Sequence, residues 1–238
     1  MIETMYKVAS IGRFQPGTAK PDGRAHWIGP HGALGAAVPG IERYVQSHST
    51  EALGLLGPND ARPAFDGYAC LWFADRQAFE ASVATPEWSA LAADSSTLFD
   101  VEWTASMSAA VDERTIIDGP MGPFKAVWIV RFKDEIRADA ERVREAHEYW
   151  TRTHGGAYGV KVPGIDRYVQ NHVVEPLGDL LPEFDGFSEC WFQDRAAFDV
   201  TMAAPEWDDM NNDAPNLFDM DFILGGMSAL LDEIVITA

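Results

Sequence analysis

Apolar and polar positions change period along this chain in a definite order. FKAVWIVRF (Phe124–Phe132) is β-branched and aromatic, which predicts a strand. Over Asp139–Tyr158, the positions Val143, His147, Trp150, His154 and Tyr158 recur at steps of three or four and predict one helical stripe. Gly155 and Gly156 weaken the last turn of that helix. Pro163–Gly164 marks a turn into a strand over Ile165–His172, and Asp185–Gly186 opens the next strand, Phe187–Phe192. Asp194–Ala204 reads as a short helix stopped by Pro205. Phe218–Leu224 reads as the closing strand, with a final extended segment at Asp232–Thr237.

The same order occurs earlier. PGIERYVQSH (Pro39–His48) returns as PGIDRYVQNH (Pro163–His172), with eight of ten residues identical. FDGYACLWFADRQAFE (Phe65–Glu80) returns as FDGFSECWFQDRAAFD (Phe184–Asp199), and PEW recurs at Pro86–Trp88 and Pro205–Trp207. The period of about 120 residues exceeds the roughly 20–50 of solenoid repeats, so a whole domain is duplicated. The expected domains are 1–118 and 123–238, joined by the turn-rich Asp118–Pro123. The first half departs at QPGTAKPDGRAHWIGPHG, where Pro and Gly predict a first helix that is shortened or lost.

Each half therefore reads as strand–helix–strand twice, the ferredoxin-like arrangement of an α+β fold. Its antiparallel sheet carries helices on one face, so the other face must be buried. The sheet of the second half is the natural partner, giving a pseudo-dimeric α+β barrel.

Composition narrows the function. Eight Trp and thirteen Phe suit an interior that hosts aromatic ligands, although rings also simply fill cores. A net charge of −19 argues against nucleic acid and anionic membrane surfaces as partners. The two cysteines, Cys70 and Cys190, sit at non-equivalent repeat positions, which excludes a duplicated disulfide and fits a reducing, cytoplasmic setting. The N-terminal stretch lacks a signal-peptide pattern, and no apolar run is long enough to span a membrane.

With these motifs in hand, each half resembles the EthD-like family of the dimeric α+β barrel superfamily. The features that match are Trp150 and His154 ending a helix, then VPG-I-x-RYVQ-x-H, DG-x-x-E-x-WF, D-R-x-AF and PEW. The resemblance covers nearly the whole chain. It implies the fold, with a fused pair in place of the usual homodimer, and a menu of chemistries. Related folds include cofactor-free monooxygenases, polyketide cyclases, isomerases, decarboxylases and heme-binding enzymes, so the chemistry has to be argued from the site.

All six histidines fall in two clusters, with His31 matching His154 and His48 matching His172. Histidine is the side chain whose ordinary pKa suits proton transfer near neutrality. His147 and His154, seven residues apart, are expected on one helix face. Tyr168, Gln170 and His172 alternate onto one strand face. That face either lines the cavity of His154 under the helices or lies between the sheets. Glu189 shares a face with Phe187 and Trp191, where a carboxylate must be paired or have a raised pKa. Its pairing partner would be Arg167 or Arg131; as a catalytic group it would set the protonation of a histidine. The resemblance implies an acidic residue at this position, which the first half replaces by Cys70. Asp66 and Asp185 read as turn residues, and Asp75 and Asp194 as helix caps.

The expected function is a cofactor-free lyase or isomerase using acid/base chemistry on a hydrophobic, aromatic small molecule. The catalytic set is His154, Glu189, His172 and Tyr168, with His147, Trp150, Gln170, Trp191, His31, Tyr44 and His48 binding substrate. The second half is expected to dominate, because the shortened helix and Cys70 favour a vestigial first site. No metal or organic cofactor is expected, since HExxH, CxxC, GxGxxG and P-loop patterns are missing. The alternatives are a cofactor-free or heme-dependent monooxygenase and a non-catalytic binding barrel. A homodimer of the fused pair is compatible with all three.

Overall fold

The computed structural model describes residues 5–54, 57–58 and 63–237; residues 1–4, where the N-terminal stretch without a signal-peptide pattern begins, lie outside them. In the first half, β1 (Tyr6–Gly12) leads into a helix built from α1 (Lys20–His26), a π-helical turn (Trp27–His31) and α2 (Gly32–Ala36). Next come β2 (Arg43–Gly54), the two-residue β3 (Gly57–Pro58), β4 (Gly67–Phe73), α3 (Arg76–Val83), α4 (Pro86–Leu98), α5 (Val101–Ser106) and β5 (Ser108–Ile117). The second half repeats this with β6 (Phe124–Val130), α6 (Asp134–Arg137), α7 (Ala140–Tyr149), a π-helical stretch (Trp150–Tyr158) and β7 (Arg167–Pro176). It ends with β8 (Gly186–Phe192), α8 (Arg195–Met202), α9 (Pro205–Asp213), α10 (Met220–Leu224) and β9 (Ser228–Thr237).

The strands run β2-β4-β1-β5-β7-β8-β6-β9, and β9 pairs back onto β2. All of these pairings are antiparallel, so the eight strands close into a barrel. The two seams between halves are β5–β7 and β2–β9. Closure leaves no open edge along these strands, which is how the sheets are protected from pairing with other chains. Among the described residues no helix is long and apolar enough to cross a membrane.

Local chemistry sets the element ends. Asp75 and Asp194 accept from the backbone N–H groups of Ala78 and Ala197 and cap α3 and α8 as expected. Asp66 and Asp185 accept from the backbone N–H groups of Phe14 and Phe132, tying the strand starts to the neighbouring chain. Gly186 has no side chain because a Cβ there would lie 2.6 Å from the ring of Trp150.

Two expectations change and a third narrows to one of its alternatives. Phe218–Leu224 is not the closing strand: Asp219 caps a short helix at Met220–Leu224, and the closing strand is β9. The apolar run was short, and a local cap decided its conformation. The first helix of the first half is shortened but kept, because the π turn accommodates Pro30. The helix stripe is also broken. The π turn inserts a residue into the helical repeat and rotates the next turn about the helix axis. His147 therefore meets His172, whereas His154 meets Asp213.

Candidate functional site

The strands have two faces, and each carries its own cluster. Inside the barrel, Glu189 is 4% exposed and lies between two lysines that are each 3% exposed. Its Oε1 is 2.5 Å from Lys125 Nζ and accepts from the Tyr68 hydroxyl, while its Oε2 accepts from Asn171 at 2.8 Å. Lys7 Nζ is 3.9 Å from Glu189. Each lysine also keeps an outer glutamate, Glu113 for Lys7 at 2.7 Å and Glu233 for Lys125 at 2.5 Å. Burial pushes the Glu189 carboxyl up, but Lys125 and Lys7 outweigh it and hold it at about 2. This carboxylate is ionised and fully partnered. The pairing expected with Arg167 or Arg131 is made by the lysines instead, and Glu189 does not touch a histidine. Strand alternation put it on the lumen face with Trp191, and Cys70 faces the lumen as well.

The outer face, under the helices, carries the histidines. The π turn of each half starts at a tryptophan whose carbonyl is freed from the regular helical ladder. Gln46 Nε2 donates to Trp27 O at 2.9 Å, and Gln170 Nε2 donates to Trp150 O at 3.1 Å. Each glutamine also donates to a tyrosine hydroxyl, Tyr44 at 2.7 Å and Tyr168 at 2.8 Å, and its oxygen meets His48 or His172 at 3.0 and 3.1 Å. The Tyr–Gln–His row thus braces the π turn against the sheet, and it is the helix-facing alternative that holds. His172 Nδ1 lies 2.8 Å from His147 Nδ1, and burial depresses these two rings to about 2 and about 4. In the first half, burial depresses His48 to about 4.

Four residues beyond each tryptophan stands a histidine that binds an aspartate of the PEW helix. His31 Nδ1 is 2.7 Å from Asp94 Oδ2, and His154 Nδ1 is 2.9 Å from Asp213 Oδ2. The rings are only 6% and 7% exposed. Asp94 is shared with His26 Nε2 at 2.9 Å, whereas Asp213 accepts from the Tyr149 hydroxyl at 2.7 Å. Burial pushes both carboxyls up, and these hydrogen bonds more than reverse it, leaving each below the usual range. Burial lowers the His31 ring against the opposing pull of Asp94. Neither aspartate was singled out in the sequence. The available signal was an Asp eight residues after the proline of each PEW, at Asp94 and Asp213.

The two dyads face unequal spaces. In the first half a cavity of about 380 Å³ is lined by His31, Trp27, Tyr44, Leu71, Trp88, Leu91 and Phe99, with Ser10, Thr104 and Ser108 among its polar members. In the second half about 50 Å³ remains beside His154, Tyr168, Trp128, Trp207 and Ile223. Trp128 and Ile223 occupy the positions of Ser10 and Thr104 and fill the space. Of the expected site residues, His154 and Tyr168 line the small cavity and His31 and Tyr44 the large one. Glu189 and Trp191 are in the lumen, and His147, His172, Gln170 and His48 form the bracing layer. The grounds for a vestigial first site do not hold, since Cys70 faces away from it and the shorter helix still delivers His31.

An eight-stranded barrel closed from two ferredoxin-like halves, helices outside, defines a dimeric α+β barrel folded from one chain. The EthD domain matches residues 15–102 and again 139–221, and the chain belongs to the EthD family as a tandem pair. A solved anthrone oxidase-like protein is similar over 100% of this chain and 95% of its own, at 11% identity and a TM-score of 0.57. A putative monooxygenase from Fusobacterium nucleatum is similar over 100% of this chain and 94% of its own, at 10% identity and a TM-score of 0.53. An EthD-family protein from Bacillus halodurans matches 44% of this chain and 93% of its own, at 18% identity and a TM-score of 0.32. No curated protein matches significantly.

Proposed function

We propose that this chain is an acid/base enzyme that works in the cavity of the first half on a hydrophobic, aromatic small molecule without a cofactor. The reaction class is decarboxylation, dehydration, cyclisation or isomerisation. The observation that carries this reading is buried His31, hydrogen-bonded to half-buried Asp94, at the wall of a largely apolar cavity of about 380 Å³. That volume falls within the range of about 300–1,000 Å³ typical of ligand pockets.

Asp94 accepts the proton on Nδ1, which fixes the tautomer and leaves Nε2 as the basic nitrogen. A neutral imidazole is the base form, and burial keeps His31 in it. When Nε2 takes a proton from the ligand, the charge of Asp94 stabilises the imidazolium, as in other His–Asp pairs. A ligand filling the largely apolar cavity would displace water and strengthen that interaction. His26, 39% exposed, holds the other oxygen of Asp94 and keeps the carboxylate oriented.

An oxidative reading uses the same parts. His31 would deprotonate a ligand able to reduce oxygen itself, and the similar structures include an anthrone oxidase-like protein and a putative monooxygenase. Turnover of hydroxylated two-ring aromatics, followed together with oxygen uptake, tests both. His31→Ala and Asp94→Asn are expected to lower kcat by about 10²–10⁴, the usual share of a general base, and His154→Ala much less. Oxygen uptake matching turnover selects the oxidative reading. The cavity assignment fails if His154→Ala is the most damaging change. A red purified protein would replace the cofactor-free reading by a heme-dependent one.

A further inference from the structure

The cavity of the first half has a hydroxyl wall that the dyad does not explain. Ser108 Oγ lies 2.9 Å from Ser10 Oγ and 2.7 Å from the carbonyl oxygen of Thr104. With the Ser108 proton on the Thr104 carbonyl, the Ser10 hydroxyl is left to donate either to Ser108 or to a ligand, and both oxygens keep acceptor capacity. Thr104 Oγ1 has no hydrogen-bond partner and almost no accessible surface, so it meets a ligand in the cavity only after its side chain rotates. All three residues line the cavity. Other hydroxyls there are spent within their own helix: Ser95 Oγ donates to Leu91 O at 2.9 Å and Ser96 Oγ to Ala93 O at 2.7 Å. In the second half the positions of Ser10 and Thr104 are Trp128 and Ile223, and of the three hydroxyls Ser228, at the position of Ser108, remains, so the full set occurs with the open cavity.

Buried polar groups are normally satisfied, and an unsatisfied one in a cavity points to a ligand atom or water that completes it. Charge limits what that atom belongs to. Among the described lining residues of this cavity there is no Lys, Arg, Asp or Glu. An ionised carboxylate placed here would have protonated His31 as its one cationic partner among the described lining residues, and burial disfavours that form of the ring. Size limits it further. Benzene fills a cavity of about 150 Å³, so about 380 Å³ takes two to three fused rings.

We infer that Ser10, Thr104 and Ser108 form a subsite that selects a neutral two- to three-ring aromatic by a hydroxyl or carbonyl oxygen on its ring system. The inference rests on the first-half cavity being the working site, and it narrows the reaction menu: an uncharged substrate fits dehydration, cyclisation or isomerisation better than decarboxylation of an ionised acid. These residues are specificity-determining; the proton transfer stays with His31.

Equilibrium dialysis at pH 7 with three probes of one ring system tests this without requiring turnover. The probes are 1-naphthol, 1-methylnaphthalene, whose methyl replaces the hydroxyl, and 1-naphthoate, which is ionised. The full-length chain is expected to bind 1-naphthol about tenfold or more tighter than 1-methylnaphthalene, the scale of one buried hydrogen bond, and 1-naphthoate most weakly. Ser10→Ala with Thr104→Val should bring the first two affinities together while 1-methylnaphthalene binding holds. Ser10→Trp should abolish binding of both, with a thermal melt verifying the fold. If the double variant does not fold, Ser10→Ala alone and the wild-type ranking decide. Equal binding of 1-naphthol and 1-methylnaphthalene, tightest binding of 1-naphthoate, a preference that survives the substitutions, or no binding of any probe would each overturn the inference. Because the readout is binding, a preference found without any effect of His31→Ala on turnover would sink the catalytic reading and leave this subsite standing.

Discussion

In the second half, protein occupies the layer between sheet and helices. The rings of Trp128 and Trp207 lie 5.2 Å apart, and Ile223, Met210 and Phe218 close around them in a continuous core. In the first half the same layer holds a smaller buried cluster of Phe14, Trp27, Leu98 and Phe99, with an opening of about 380 Å³ beside them. Both halves keep the π turn, the brace and the His–Asp dyad. What separates them is volume at two or three positions, chiefly Ser10 against Trp128. One copy is filled and the other keeps an open space, so the same dyad stands beside a ligand-sized cavity in the first half and beside packed side chains in the second.

The strongest way to break the comparison is to cut the halves apart. Each exposes two strands whose partners lie in the other half, through the β5–β7 and β2–β9 seams. Residues 1–118 and 123–238 expressed separately are expected to aggregate or form homodimers, and size exclusion showing two stable monomers would contradict the single-barrel account. Trp128→Ser sharpens the comparison from the other side. It should cost about 3–5 kcal/mol, as large-to-small core changes do, and open a second cavity, raising ligand stoichiometry in a titration from one towards two.

Glu189→Gln acts on neither cavity. It removes the charge shared by Lys7 and Lys125, and the cost should be up to about 3 kcal/mol, below a fully broken buried pair because each lysine keeps one glutamate. The pH dependence has a definite sign. The Glu189 carboxyl is held at about 2, below its ordinary 4.5, so its contribution is complete above about 4.5 and is lost as pH falls towards 2. Thermal melts from pH 6 downward should show that slope in the wild type and lose part of it in the variant.

The smallest effect belongs to the histidine pair of the second half. His147 is depressed from 6.5 to about 4 and His172 to about 2, so the unfolded chain takes up protons first as pH falls below 6.5. Stability is therefore full above 6.5 and declines below it, the His147 share ending near pH 4 and the His172 share near pH 2. His147→Gln should flatten that decline, because one titration is gone while the amide can still donate to His172. An unchanged slope in the same melts would show that His147 does not titrate on unfolding.

Much of this was legible in the sequence. The repeat gave the two halves, and period-two alternation correctly grouped Tyr168, Gln170 and His172 on one face and Glu189 with Phe187 and Trp191 on another. Alternation does not say which face is the lumen, and that is why Glu189 was joined to the wrong cluster. The π turns left no mark in the hydrophobic spacing, so His147 and His154 looked like neighbours. Asp94 and Asp213 sit in polar stretches, AADSS and NNDAP, that read as solvated helix surface. The contrast of Ser10 with Trp128 was visible letter by letter, but its meaning depends on what packs against that strand.

The single acid at the centre of the barrel has a consequence for inheritance. In a barrel assembled from two identical chains, any substitution arrives on both sides of the two-fold axis at once. A glutamate at the position of Glu189 would then face its own copy, where this chain has Cys70. Joining the copies through Asp118–Pro123 lifts that constraint. A lone carboxylate can stand between two lysines, and a tryptophan can fill one cavity without closing the other. Linkage also makes the meeting of unlike halves intramolecular, independent of how much protein the cell holds.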